Sequence, residues 1–336
     1  MAIKKGKRTI FLENKPSIIS SGAVVGKMEH EGPLGAEFDE FSDDSLFGEE
    51  SFEKAESKLQ KTAINIALKK AELEPKDIDQ VFAGDLLNQC IGSSFSMRDL
   101  GIAFIGLYGA CSTMALSTAL ASIFVDCGAA KRTLAVTSSH FCSAERQYRY
   151  PLNYGNQRPQ TAQRTVTGSG ALILERGKNH PYINAITFGE IVDLGVSDVN
   201  NMGAAMAPAA ASTLMHFFAD TKTGPKDYDL IFTGDLGEVG TNLLYQILDK
   251  EGIDIKCRHT DCGLMIFDHE KQDTHAGGSG CGCSASVLCS YVLKRMREKK
   301  LNNILFMSTG ALMSPTSSFQ GESIPSIAHL INIKNP

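Results

Sequence analysis

The sequence predicts an α/β protein built from two duplicated halves that pack as five layers, in the order helix, sheet, helix, sheet, helix. Two observations carry this prediction. Residues 75–86 recur as residues 225–236, with eight of twelve positions identical. Downstream of each copy, a turn rich in Gly and Cys opens a long apolar helix, and a strand follows.

Each half is expected to contain the same elements in the same order. A helix (58–73 or 209–219) leads through the repeated turn into a short apolar strand that ends at Gly-Asp. Strands that alternate with helices favour a mostly parallel sheet with helices on both faces. The apolar helices at 111–129 and 284–296 would then form one central layer between the two sheets.

This duplication divides the chain into residues 1–195 and residues 196–336. Residues 32–57 are rich in Glu, Asp, Ser and Phe and break the pattern, so we expect a surface insertion there.

Composition limits the functions open to the chain. Its 336 residues are 43% hydrophobic, and a net charge of -5 with a pI near 5.9 favours neither nucleic acid nor anionic lipid as a partner. The first fifteen residues lack the apolar core of a signal peptide, and the apolar run 116–125 is shorter than a membrane span. We therefore expect a protein kept inside a cell with its nine cysteines reduced.

Residues 109–115, GACSTMA, followed by TLAVTSS at 133–139, resemble the nucleophile elbow of thiolases and ketoacyl synthases. Residues 166–174, VTGSGALIL, are similar to a glycine-rich strand of the same superfamily. The resemblance covers roughly residues 58–336 and implies a thiolase-like fold in which Cys111 occupies the acylated position. A thiol at a helix N-terminus is expected to have a lowered pKa, although Cys111 also suits a small buried residue at a tight turn.

At two positions this chain lacks residues that the enzymes of the superfamily use. These differences predict a protein that catalyses no reaction, and no cofactor is predicted. Those enzymes place a His after the first strand of the second half, and an Asn or second His in a later glycine-rich loop. This chain has Thr233-Gly234-Asp235 at the first place and GCGCS at 280–284 at the second. A base and an oxyanion donor are both missing from these motifs. The alternative is a condensing enzyme that uses Cys111 with His259 or His275.

A closer resemblance is carried by three runs: FCSAERQYRYP at 141–151, QRPQTAQRT at 157–165 and HAGGSGCGCS at 275–284. They are similar to a family of thiolase-like spore proteins. That resemblance implies binding of dipicolinic acid (pyridine-2,6-dicarboxylate) and its transport across the spore inner membrane during sporulation and germination. It also implies membrane-spanning partners from the same operon and a peripheral position at that membrane. The superfamily resemblance adds a homodimer interface near residues 85–110.

The segment 140–165 suits a planar dicarboxylate, because four Arg against one Glu give it a local charge of +3 and Arg binds carboxylates through two parallel hydrogen bonds. Ion pairs and subunit contacts are the alternative role for any one of these Arg residues. His140 is either a ligand contact or a structural residue. The predicted ligand-binding residues are Cys111, His140, Arg146, Arg149, Arg158, Arg164 and Cys281.

A metal site is the rival interpretation of the second half. Seven Cys and His residues lie within residues 257–283, and such clusters can bind zinc. The spacing of Cys257, His259 and Cys262 is not that of a usual zinc knuckle, so no metal is predicted.

Overall fold

The computed structural model describes residues 2–148, 157–177 and 179–336. The strands in these ranges are β1 (Ile3–Lys5), β2 (Thr9–Phe11), β3 (Pro16–Gly26), β4 (Glu40–Ser42), β5 (Gln80–Gly84), β6 (Ala103–Gly106), β7 (Arg132–Ser139), β8 (Arg164–Thr165), β9 (Gly168–Arg176), β10 (Tyr182–Thr187), β11 (Leu230–Thr233), β12 (His259–Asp261), β13 (Gly278–Ser279), β14 (Asn303–Ala311) and β15 (Ser326–Lys334). The helices are α1 (Lys27–His30), α2 (Phe52–Lys70), α3 (Ile91–Arg98), α4 (Thr113–Cys127), α5 (Phe141–Tyr148), α6 (Met202–Thr221), α7 (Gly237–Lys250), α8 (Cys262–Met265), α9 (Cys281–Val287), α10 (Leu293–Arg297) and α11 (Pro315–Phe319).

Two five-stranded arrays of matching order form the body of the sheet. The first runs β3-β9-β7-β5-β6 and the second runs β10-β15-β14-β11-β12. A single residue pair, Ser17 with Tyr182, joins the two arrays between β3 and β10. Each array repeats the strand order of the other, as a duplicated chain requires.

The expectation of mostly parallel sheets is wrong, because each array is mixed. In the first array β5 pairs in parallel with β6 and β7, whereas β9 is antiparallel to both β7 and β3. The second array has the same pattern around β11 and β15. The reason lies in the connections. Helical crossovers through α3 and α4 carry the chain back between parallel strands, whereas the chain after β7 and after β14 returns to pair antiparallel.

The five predicted layers are present. Helix α2 covers the outer face of the first array, and α6, backed by α7, covers that of the second. Between the arrays, α4 packs on β5, β7 and β9 from one side and on β14 and β15 from the other, with α9 beside it. The stretch Ala110–Cys127 is long and apolar enough to cross a membrane by composition alone, but 72% of it is buried here. A helix between two sheets must be apolar on every side.

The repeated motif folds alike in both copies. Residues 75–77 and 225–227 each form one turn of 3-10 helix, which the side chain of Asp77 or Asp227 closes by accepting a backbone N–H three residues earlier. Strands β5 and β11 follow directly, and each leads to a buried aspartate, Asp85 or Asp235. The predicted order of helix, turn and buried strand is confirmed, and it brings both aspartates toward the centre of the molecule.

The segment 32–57 is only partly an insertion. Its residues 40–42 form β4, which pairs with the end of β3. Ser51 caps α2 by accepting the N–H of Lys54, so residues 52–57 are the first turns of that helix. Placing the boundary between the halves at residue 195 stays a prediction.

Candidate functional site

A small cavity of about 40 Å³ lies where the two halves meet, beside Cys111. That volume holds a water molecule or two, and it is too small for a ring that carries two carboxylates. The side chain of Tyr148 helps to close it, because its hydroxyl bonds both the carbonyl of Leu86 and, at 2.9 Å, the hydroxyl of Tyr108. The described lining residues are Leu86, Tyr108, Ala110, Cys111, Ala144, Tyr148, Thr165, Met202, Ser279, Ala311 and Met313, none of them charged.

A tight turn before α4 positions Cys111. Ala110 takes a left-handed conformation with a φ of 49°, which an L-residue adopts only where the surroundings impose it. The hydroxyls of Ser112 and Thr113 bond the backbone of Gly109 and fix the turn. Gly310 of β14 lies so close that a Cβ there would overlap the carbonyl oxygen of Gly109. The turn is therefore held from both halves of the chain.

The carboxyl of Asp235 lies close enough to the thiol of Cys111 to act on it electrostatically. Burial, together with the nearby Asp235 and Cys281, raises the pKa of Cys111 well above its usual value. The sequence prediction of a lowered pKa is wrong, because desolvation and like charge outweigh the helix N-terminus. A pKa raised in this way keeps the buried thiol of Cys111 protonated near neutral pH.

Asp235 is held by groups of the second half. Its Oδ2 accepts the N–H of Gly280 at 2.9 Å, and its Oδ1 accepts the hydroxyl of Thr309 at 2.7 Å. Burial raises the pKa of Asp235 to about 7, and these hydrogen bonds limit the rise. Behind it, Asp261 accepts the N–H groups of Leu236 and Gly237 and fixes the loop that carries Asp235.

Cys281, the second predicted cysteine, begins α9 and lies near Cys111. Its sulfur donates to the carbonyl of Ser138 at 2.9 Å, and burial raises its pKa well above the usual value. Leu86, Cys111, Ala144 and Cys281 form one small apolar cluster. The structure thus brings the two predicted cysteines together in one cluster through elements from both halves, and of the two only Cys111 is among the described lining residues of the cavity.

Sequence reasoning missed a buried polar network beneath this cluster. Glu56 accepts the hydroxyls of Ser138 and Ser143, and burial with the charge of Asp85 raises its pKa to about 8. Asp85 accepts the N–H and hydroxyl of Ser93. Asp85 and Asp235 were recognisable because each ends a copy of the repeated motif. Glu56 was missed because it lies in the segment that we interpreted as an insertion.

His140 lies outside the lining of the cavity. Its Nε2 bonds the carbonyl of Ser45 at 2.7 Å, and its Nδ1 accepts the N–H of Cys142 at 3.2 Å. These partners fix one neutral tautomer, and burial lowers the pKa. His140 therefore ties the segment around Ser45 to the start of α5, and a role in ligand binding stays a prediction.

The predicted arginines occupy different surroundings. Arg146 pairs with Glu53 at the surface, and Arg158 pairs with Asp273 at 3.1 Å. The guanidinium of Arg164 lies over the ring of Phe141, 3.9 Å from its centroid, and its Nε is buried with no hydrogen-bond partner among the described residues. The carboxyl groups of Glu29 and Glu145 act on it electrostatically. Its strand neighbour Thr165 faces the cavity instead. Arg149 lies outside the described residues.

The histidines proposed as alternative partners of Cys111 are engaged elsewhere. His259 bonds Thr233 and Tyr245, each at 2.9 Å, and burial lowers its pKa to about 4. His275 bonds the carbonyl of Pro159 and the carboxylate of Asp273. Within residues 2–148, 157–177 and 179–336, no group of three or more His, Cys, Asp and Glu side chains is arranged to hold a metal ion.

A cysteine on a strained turn before a buried helix, set between two matching α/β halves, defines a protein of the thiolase fold. Solved structures agree. A 3-oxoacyl-[acyl-carrier-protein] synthase III from Aquifex aeolicus matches 95% of this chain and 99% of its own, with a TM-score of 0.58 and 12% identity. A variant of OleA from Xanthomonas campestris matches 96% of this chain and 99% of its own, with a TM-score of 0.61 and 12% identity. Likeness at this level of identity establishes the fold alone.

The sequence comparison is more specific. The family model for stage V sporulation protein AD matches residues 6–334. The stage V sporulation protein AD of Bacillus subtilis (strain 168) is 47% identical over 324 residues, which are 96% of each chain. The chain belongs to the stage V sporulation protein AD family, a family of sporulation proteins with the thiolase fold.

Proposed function

We propose that this protein is a non-catalytic member of the thiolase fold that binds dipicolinic acid and supports its transport across the spore inner membrane during sporulation and germination. Membership of a sporulation family supports the setting. In this proposal the protein lies at the membrane surface and works with the membrane-spanning proteins of the SpoVA operon.

The carboxyl group of Asp235 near Cys111 carries the non-catalytic part of the proposal. A cysteine nucleophile needs a neighbouring base or cation to form the thiolate, and a positioned donor to stabilise the oxyanion. Here the neighbour is a buried carboxyl group, which opposes the thiolate in its charged form and competes for the same proton. This arrangement supports a pocket that keeps the shape of an acyl-transfer site but lacks the base that would activate the cysteine.

The alternative, a condensing enzyme that uses Cys111, has less support. The two structural neighbours named above are a synthase and OleA, but only the fold is shared. His259 and His275 both have partners at each ring nitrogen and lie outside the described cavity lining. Incubation with acyl-CoA followed by intact-mass analysis tests this alternative, since an adduct on Cys111 that turns over would favour it.

Dipicolinate binding draws support from two guanidinium groups in the segment 157–165, which also supplies Thr165 to the cavity wall. The Nε of Arg164 and the Nη1 of Arg158 are buried and have no hydrogen-bond partner among the described residues. Buried donors of this kind are costly to leave unpaired, and a carboxylate is their best acceptor. Arg164 stands one residue from Thr165 in the cavity wall, and Arg149 follows Tyr148 in the chain.

Loading the ligand requires the cavity to enlarge. Tyr148 is the side chain best placed to move, because it ends α5 and its two hydrogen bonds close the space over Cys111. Release of Tyr148 would expose the hydroxyls of Tyr108 and Thr165 to the ligand. Tyr faces also provide a surface on which a planar heterocycle stacks.

Calorimetric titration with dipicolinate tests the proposal. We expect Arg164→Ala and Arg158→Ala to lower affinity at least tenfold, because a buried carboxylate would lose its charged partner. Arg149→Ala should be titrated with dipicolinate in the same way. Arg146 already pairs with Glu53 at the surface, so Arg146→Ala should have a smaller effect. Arg295, paired with Glu37 and Glu298 away from the cavity lining, provides a control that should bind like wild type when changed to Ala. Absence of dipicolinate binding by the wild-type protein would reject the function.

We also propose a homodimer through the region 85–110. Among the described strands, β6 forms a free edge of the first array, and a free edge offers unpaired N–H and C=O groups to a second strand. Phe95 and Tyr108, on either side of it, are each 46% exposed. Sedimentation of wild type and Phe95→Glu tests the interface, because a buried glutamate at the contact should give monomers.

A further inference from the structure

Two segments of the second half form one continuous surface, which we call the acidic apolar patch: residues 190–196 and 312–324. Val192 and Ser326 pair as an antiparallel bridge, and the N–H of Ile324 donates to the carbonyl of Val196 at 2.7 Å. The hydroxyl of Ser323 donates to Asp193 at 2.6 Å. The two segments are therefore fixed to each other.

Large apolar side chains project from this patch. Ile191 is 62% exposed, Leu194 is 72% exposed and Phe319 is 88% exposed, the highest values among the exposed large hydrophobic side chains of the described chain. The neighbouring Val192 and Val196 point the other way and pack against the core around α6. The fold thus keeps this segment ordered while presenting its apolar side chains to the surroundings.

The charges of the patch have a single sign. Residues 190–196 and 312–324 contain three acidic side chains and no Lys or Arg. Arg8 pairs with Glu190, whereas Asp193 and Glu322 have no cationic partner in the described ranges. Exposed apolar groups with uncompensated acids match a partner that is both apolar and basic.

The patch also adjoins the cavity described above. Ala311 and Met313 line that cavity and lead directly into the second segment of the patch. A partner that covers the patch would therefore lie at the edge of the space in which we propose dipicolinate binds.

We infer that the acidic apolar patch is a docking surface for a basic, apolar loop of a membrane-spanning protein. The inference rests on the proposed function, which supplies membrane-spanning partners. Cytoplasmic loops of such proteins carry an excess of Lys and Arg beside apolar segments, the complement of this patch. An anionic lipid surface does not fit, because it would repel Asp193 and Glu322, the two carboxylates of the patch that lack a cationic partner in the described ranges.

Co-purification with the membrane-spanning proteins of the operon, co-expressed and solubilised in detergent, tests the inference. The full-length double variant Leu194→Ser/Phe319→Ser should lose at least tenfold in retained membrane protein, and Glu322→Lys should bind more weakly. Ile3→Ser changes an exposed apolar residue far along the chain and should behave as wild type. Dipicolinate titration of every variant checks that the fold and the cavity are intact.

Three results would overturn the inference. If the double variant retains the membrane proteins like wild type, the docking surface lies elsewhere and the proposed function is unaffected. If wild type binds vesicles of phosphatidylcholine and phosphatidylglycerol and the double variant does not, the occupant is lipid. If wild type binds dipicolinate but retains none of the membrane proteins, both the partnership and the patch as its docking surface are rejected.

Discussion

Asp235 places its carboxyl group near the thiol of Cys111, and the same carboxyl group accepts the N–H of Gly280 directly before α9. One buried residue from the first half and one from the second thus lie side by side. The carboxyl group favours the protonated thiol, and this is the feature that separates the site from a thiolate nucleophile.

Cys111 should be a slow nucleophile. We expect iodoacetamide to alkylate it at least tenfold more slowly than the exposed Cys257, because the thiol is buried and its pKa is raised. Asp235→Asn should accelerate labelling of Cys111 by removing the adjacent carboxylate. Peptide mass spectrometry over a time course measures both rates. Labelling of Cys111 as fast as Cys257 would contradict the structure.

The stability of the fold should fall as pH rises from about 4 to about 7. Asp235 has a pKa of about 7 when folded and an ordinary value of 3.8, so in that window the folded state holds a proton that the unfolded state has lost. Each such proton lowers the free energy of unfolding by at most about 1.4 kcal/mol per pH unit.

Asp235→Asn should remove the contribution of one proton to the slope of stability against pH. Below pH 4 the variant's free energy of unfolding should differ little from that of wild type. Urea unfolding at several pH values measures the slope. Glu56, whose pKa is raised to about 8, should maintain part of it in the variant. Identical slopes in variant and wild type would show that Asp235 ionises normally in the folded protein.

Dipicolinate affinity should decrease as pH rises through 7 if the ligand lies beside Cys111. The ligand is a dianion, and Asp235 becomes an anion in that range, so repulsion appears on the alkaline side. Asp235→Asn should bind with little pH dependence between pH 6 and 8. Calorimetry across this range measures the effect. An equal dependence in both proteins would place the ligand away from Asp235.

Gly310→Ala should destabilise the protein and disturb the turn before α4. The added methyl group would overlap the carbonyl oxygen of Gly109, and overpacking of this kind typically costs about 1–3 kcal/mol. Gly224→Ala is the matched control, since a Cβ there meets no atom within 4 Å and should change stability by less than about 0.5 kcal/mol. Chemical denaturation compares the two; equal stability would show that the turn adapts.

The sequence was sufficient to predict the layered fold because duplication leaves a direct trace in the residues. The repeated turn and the two apolar helices identified the halves and the shared central layer. Strand direction was not predictable in the same way. Strands β9 and β15 are apolar whichever way they run, and only their pairing partners make them antiparallel.

The site was predicted in part. Cys111 and Cys281 were recognisable because each opens a helix, and helix starts are local features of sequence. The partners of the arginines could not be recognised in this way, because Glu53, which pairs with Arg146, lies ninety-three residues earlier in the chain. Arg164 and Thr165 are adjacent in sequence, but strand geometry sends successive side chains to opposite faces. Glu56 acquires its raised pKa only through burial by distant elements.

Helix α4 has a consequence for synthesis of the protein. It emerges from the ribosome long before β14 and β15, the strands that cover one of its sides. Until those residues are translated, the nascent first half carries an apolar helix with one face open to water. Such intermediates associate with one another or with chaperones. The shared central layer can therefore be completed only after the second half of the chain has been translated.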